Sequence, residues 1–93
     1  MALPGDTSKQ REIVFHATPP AQTERAHDLL AQLPDLTVER IGERQLLVRY
    51  DLTDHSLEDL ESMLSEQGFH LEVSLLILLK RALIYHVERV QRE

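Results

Sequence analysis

The sequence predicts an α+β domain with elements in the order β-α-β-β-α-β and an additional helix at the C-terminus. Three observations carry this. Four short segments alternate apolar and polar residues, two segments between them repeat apolar residues at helical spacing, and the chain from Ser74 onward is helical in pattern.

Residues 1–10 contain Pro4, Gly5, Asp6, Thr7 and Ser8 and no apolar run, which reads as a flexible arm. They lack the hydrophobic stretch of a signal peptide, so a cytoplasmic protein is expected. Residues 11–16 alternate, with Ile13 and Phe15 on one face and Val14 and His16 on the other. Thr18 before Pro19 reads as a helix N-cap with proline in the first helical position. Ala26, Leu29, Leu30 and Leu33 then form a helical stripe that Pro34-Asp35 ends. Residues 36–41 and 45–50 are two strands joined through Gly42-Glu43.

Ser56-Leu57-Glu58-Asp59 is a capping signature: the hydroxyl accepts from the third residue's N–H, and acid in the first turn suits the helix dipole. Leu57, Leu60, Met63 and Leu64 make the stripe of this second helix, and Gly68 supplies its left-handed stop. Phe69, Leu71 and Val73 then alternate as a fourth strand. The most economical assembly of this order is a ferredoxin-like βαββαβ sandwich spanning residues 11–73, with two helices on one face of a four-stranded antiparallel sheet. By parity the other face carries Val14, His16, Leu47, Arg49, His70 and Glu72.

Residues 74–93 form the extra helix. Leu75 to Leu79 are apolar all round, and Ala82, Leu83, Ile84, Tyr85, Val87 and Val90 follow. A helix with more than one apolar face needs more than one surface to cover it. It is expected to fold back across the open sheet face, to pair with a protein partner or a second copy in a homodimer, or both, with Leu76, Leu79, Leu83 and Val87 as interaction residues. Lys80, Arg81 and Arg89 give it some basic character, but less than a membrane-surface helix would use.

Composition excludes more than it selects. The 93 residues include no Cys, which removes disulfides, thiolate metal sites, iron–sulfur clusters and cysteine nucleophiles. A net charge of −6 argues against nonspecific nucleic-acid binding. That charge is uneven: residues 51–72 carry seven acidic side chains and no Lys or Arg, whereas residues 73–93 carry four basic against two acidic. The plain reading of the acidic stretch is a solvated helix face.

From Ile13 to Leu71 the chain resembles a heavy-metal-associated domain, the module of copper chaperones and metal-transporting ATPases. The resemblance lies in Leu30-Ala31-Gln32-Leu33-Pro34-Asp35-Leu36, in Val48-Arg49-Tyr50-Asp51, and in the run from Ser56-Leu57-Glu58-Asp59-Leu60 to Gln67-Gly68-Phe69. The family's Met-x-Cys-x-x-Cys loop would place its methionine on Ala17 and its cysteines on Pro19 and Gln22. None of these binds Cu(I), which selects soft thiolates. The resemblance therefore implies the fold without the family's metal chemistry.

Two function classes follow. The first is a non-enzymatic binding or interaction module with the cysteine site lost and no resident cofactor. The second is an accessory protein that binds a divalent ion such as Zn²⁺ or Ni²⁺ through imidazoles. His16 and His70 fall at the pole where the family binds metal, and a fold-back of the last helix would bring His86 toward it. The plainer reading leaves all three as surface residues. Enzyme readings lack parts: acylphosphatases use a loop arginine and an asparagine, and the chain has no Asn. Asp51, Asp54, Glu58, Asp59 and Glu61 have no base or nucleophile opposite them. RNA recognition would need aromatic residues on the open sheet face.

Overall fold

The computed structural model describes residues 7–92. Alternating apolar residues build strands β1 (Ser8–Val14), β2 (Leu36–Arg40) and β3 (Gln45–Asp51). They form an antiparallel sheet in the order β1-β3-β2, with Ile13 opposite Leu46 and Arg11 opposite Val48. Helices α1 (Gln22–Ala31), α2 (Leu57–Glu66) and α3 (Leu75–Arg92) complete an α+β domain. Ile13, Phe15, Leu46, Val48 and Tyr50 meet Ala26 and Leu30 of α1 and Leu57, Leu60 and Leu64 of α2 in one buried core. Burial of each large side chain contributes about 1.5–3 kcal/mol, so this layer dominates stability.

The local signals around α2 are realised. Ser56 Oγ accepts from the Asp59 N–H at 3.1 Å. Gly68 adopts φ 92, and the Phe69 N–H reaches back to the Leu64 carbonyl at 3.0 Å, closing the helix as a left-handed cap. Tyr50 and Leu52 are buried where β3 turns toward this helix.

Other expectations are corrected. Residues 8–10 of the expected arm belong to β1, which begins at Ser8; Thr7 already donates to Asp51 Oδ1 at 2.8 Å, and residues 1–6 lie outside the described residues. α1 begins at Gln22, not at Pro19, behind an Ala21 with φ 63. The reason is Pro20, whose ring disfavours helical backbone at the residue before it. The expected fourth strand is reduced to one bridge, Leu71 with Phe15, flanked by bonds from the His16 N–H to the His70 carbonyl and from the Glu72 N–H to the Val14 carbonyl.

α3 leaves this bridge and runs back along the outer side of β1, against α2. A cavity of about 50 Å³ between the three elements is lined by residues including Glu12, Val14, Leu57 and Ile84. The open sheet face keeps its own polar network: Arg49 donates to Gln10 at 2.9 Å and lies 3.7 Å from Glu39, all three exposed. The contacts that anchor α3 are on the opposite, core-facing side of the sheet, at Arg11 and Tyr50.

Replacing the cap, Ser56→Ala, should cost about 1 kcal/mol, read as a lower denaturant midpoint at unchanged slope. An unchanged midpoint would show that this helix end does not depend on the Ser56 hydroxyl.

Candidate functional site

The end of β1, where a metal loop is expected from the resemblance alone, is occupied by an amide. Gln22 is 2% exposed, and its Nε2 donates to the carbonyls of His16 at 2.7 Å, His70 at 2.9 Å and Thr18 at 3.3 Å. Its Oε1 accepts from the His70 N–H at 2.8 Å. One side chain thus bridges the end of β1 to the segment before Leu71, doing with an amide what a longer fourth strand would do with backbone pairs. Gln22, where the resemblance would put a cysteine, is a structural clasp.

His16 and His70 are neighbours through their backbones, and both side chains are exposed. His16 Nδ1 accepts from the Thr18 N–H at 3.2 Å. His86 is not brought to them. α3 starts at this pole and carries His86 about 18 Å along the helix, to the level where Tyr85 and Glu88 meet α2 and β1. Among the described residues no group of three or more His, Cys, Asp or Glu is arranged to hold a metal ion.

The acidic stretch is more than a solvated face. Glu61 is 3% exposed and lies 3.0 Å from Arg81 Nε, and it accepts a short hydrogen bond from the Tyr85 hydroxyl. Glu58 pairs with Arg89 at 3.0 Å, and Asp59 with Arg92 at 3.2 Å. The acids of α2 therefore face the basic residues of α3. Asp51 serves a turn: the Thr53 N–H and hydroxyl and the Thr7 hydroxyl hold its carboxyl below the usual carboxylate range.

Glu88 is the residue that sequence reading missed. It is 1% exposed on α3, with Oε2 accepting from Arg11 Nε at 3.0 Å and from the Tyr50 hydroxyl at 2.6 Å. Its Oε1 accepts from the Leu57 N–H at 2.7 Å, at the start of α2, where the helix dipole favours negative charge. Burial, and then Glu88, push the Tyr50 phenol above its ordinary range; burial and Glu61 do the same to Tyr85. Burial also raises Glu61, against the opposing pull of Tyr85 and Arg81. Every buried side-chain polar atom among the described residues has a hydrogen-bond partner.

These anchors decide which way α3 faces. Ile77, Arg81, Ile84, Tyr85 and Glu88 turn inward, half-buried or buried. Leu76, Leu79 and Leu83 turn outward at 77%, 62% and 63% exposure, with Leu75, Val87 and Val90 also exposed. The four residues expected to make an interaction surface, Leu76, Leu79, Leu83 and Val87, are all on this side. The helix shows solvent its leucines and uses polar groups to dock. No helix among the described residues is long and apolar enough to cross a membrane.

No family model, curated protein or solved structure matches this chain.

Two measurements probe the anchor. Glu88→Ala leaves the Tyr50 hydroxyl, the Leu57 N–H and Arg11 without their acceptor and should cost about 3–5 kcal/mol in chemical denaturation. A loss below about 1 kcal/mol would mean that Ile77, Ile84 and the pairs of α3 with Glu58, Asp59 and Glu61 hold the helix without Glu88. The raised Glu61 has a definite sign: the folded state keeps this proton where the unfolded state has lost it, so its contribution falls as pH rises from the ordinary carboxylate range to the folded value. Glu61→Gln removes that dependence. Relative to wild type, the variant's melting temperature should therefore improve as pH rises out of the ordinary carboxylate range. A gap that stays constant or moves the other way would contradict the burial argument.

Proposed function

We propose that this chain is a ferredoxin-like domain of the heavy-metal-associated type, without the family's metal site, that works as a non-enzymatic interaction module through the outward face of α3. The single observation that carries the reading is the inversion of that helix. Apolar residues at Leu76, Leu79, Leu83, Val87 and Val90 face water while Glu88, Arg81 and Tyr85 face the domain. A contiguous exposed apolar stripe on a small domain marks an interaction site.

Further support comes from the rest of the fold. The order β1-β3-β2, with Leu71 bridged to Phe15, is what a ferredoxin-like sheet becomes when its fourth strand shortens to one residue pair. The position that would be a thiolate is spent on the Gln22 clasp, and the acids between Asp51 and Glu61 are absorbed in a turn and in pairs with α3. These residues have structural tasks, and Leu76, Leu79 and Leu83 face solvent among the described residues.

A photo-crosslinking amino acid at Leu83, with a control at exposed Glu24 on α1, tests the reading in cells making the protein. Crosslinks to a polypeptide, whether another protein or this one, are expected from Leu83 and not from Glu24. Equal yields at both positions, or none at either, would refute it.

A further inference from the structure

We infer that the surface covering the outward stripe of α3 is the same stripe on a second copy, the two helices crossing antiparallel about a two-fold axis at Leu83. This rests on the reading of α3 as a binding face and goes further by naming its occupant.

The pattern of the stripe is the first argument. Leu76 and Val90 lie seven residues either side of Leu83, and Leu79 and Val87 lie four either side. Reversing the helix about Leu83 therefore lays these five apolar positions on one another: Leu76 on Val90 of the second copy, Leu79 on Val87, and Leu83 on itself, with Leu75 at the end of the stripe against Gln91. Each leucine away from the axis meets the smaller valine, which lets the surfaces interlock. Isologous pairing requires a patch complementary to itself, and a pattern that reads the same in both directions supplies one. Offsets of four and seven also keep the side chains on one side of a helix, as two helices crossing at a shallow angle require.

Area is the second argument. With the exposures of Leu75, Leu76, Leu79, Leu83, Val87 and Val90, the stripe presents on the order of 600 Å² of apolar surface. That is the upper end of what a monomer normally shows. Two such stripes bury roughly 1,200 Å², the lower end of a specific interface.

Charge is the third, and it separates a second copy from a lipid surface. Arg81, Arg89 and Arg92 are each paired to Glu61, Glu58 and Asp59 of the same chain. Three of the four basic groups that this helix would offer to anionic headgroups are thereby engaged, leaving Lys80, on a chain of net charge −6.

The absence of cysteine gives a clean test. Under mild oxidation Leu83→Cys should give a covalent dimer, because residues on the axis approach to disulfide distance. Leu76→Cys alone should not, since its two copies would lie about 21 Å apart along the helices, but mixing it with Val90→Cys should give the mixed dimer. Light scattering of the unmodified chain between about 5 and about 500 μM should show a concentration-dependent rise toward twice the monomer mass. Leu79→Glu/Leu83→Glu should stay monomeric with unchanged circular dichroism. Self-crosslinking of Leu76→Cys as fast as Leu83→Cys would overturn the antiparallel two-fold. A monomer at every concentration would overturn the pairing altogether, with or without adsorption to phosphatidylserine vesicles. The Leu83 photo-crosslink still reports any other polypeptide in that case, so loss of the dimer and loss of the binding face are told apart.

Discussion

A single buried carboxylate holds this architecture together. Glu88 reaches from α3 to β1 through Arg11, to β3 through Tyr50 and to the first turn of α2 through the Leu57 N–H. Desolvating such a group costs several kcal/mol, and only a full set of donors at good geometry offsets it. Those donors exist in one place, which fixes both the position of α3 and its rotation about its own axis. Leu83 lies about 140° round the helix from Glu88, so the same constraint turns the leucines to solvent. The packing of the domain and its exposed surface are thus two consequences of one contact.

How much of this was legible in the sequence depends on how local each signal is. The Ser56 cap and the Gly68 stop are written within a few residues, and both form as read. Period-two alternation located Ile13, Phe15, Leu46 and Val48 in the core. The burial of Glu88 was not legible, because it depends on Arg11, 77 residues earlier in the chain, and on Tyr50 and Leu57. An acid in a helix reads as solvated until its donors are known. The charge pattern was half read: the acidic stretch and the basic tail were visible, but not that Glu58, Asp59 and Glu61 meet Arg89, Arg92 and Arg81. Alternation at Phe69, Leu71 and Val73 promised a strand. The clasp from Gln22 satisfies His70 instead, and pairing stops at Leu71.

That clasp also changes what the missing cysteines mean. A thiolate pair at the end of β1 would leave its loop open for an ion to enter. Gln22 closes the same place from within, with its amide engaged on the backbones of His16, Thr18 and His70. The pole is filled by structure. A metal ion there would compete with hydrogen bonds that the fold already uses, and among the described residues no third His, Cys, Asp or Glu is grouped with the two exposed imidazoles beside it.

An ionic anchor is an expensive way to dock a helix when leucines are plentiful, and hydrophobic substitutes for buried ion pairs are often as stable or more so. Its advantage lies in what it forbids. A helix apolar on every side could pack on the domain through any of its faces, burying Leu76, Leu79 and Leu83 as readily as Ile77 and Ile84. With Glu88 and Arg81 on one side, docking by the leucine face would leave Glu88 without Tyr50 and Leu57, and Glu61 without Arg81. The polar contacts thus act against the wrong rotation more than they add to the right one, which is how natural proteins use polar groups at interfaces that must keep one register. The leucine face is kept outward by this exclusion, at the cost of leaving a small domain with a large apolar surface. That trade is stable against aggregation only when the surface has a defined cover, and the even spacing about Leu83 makes a second α3 a cover of matching length and pattern.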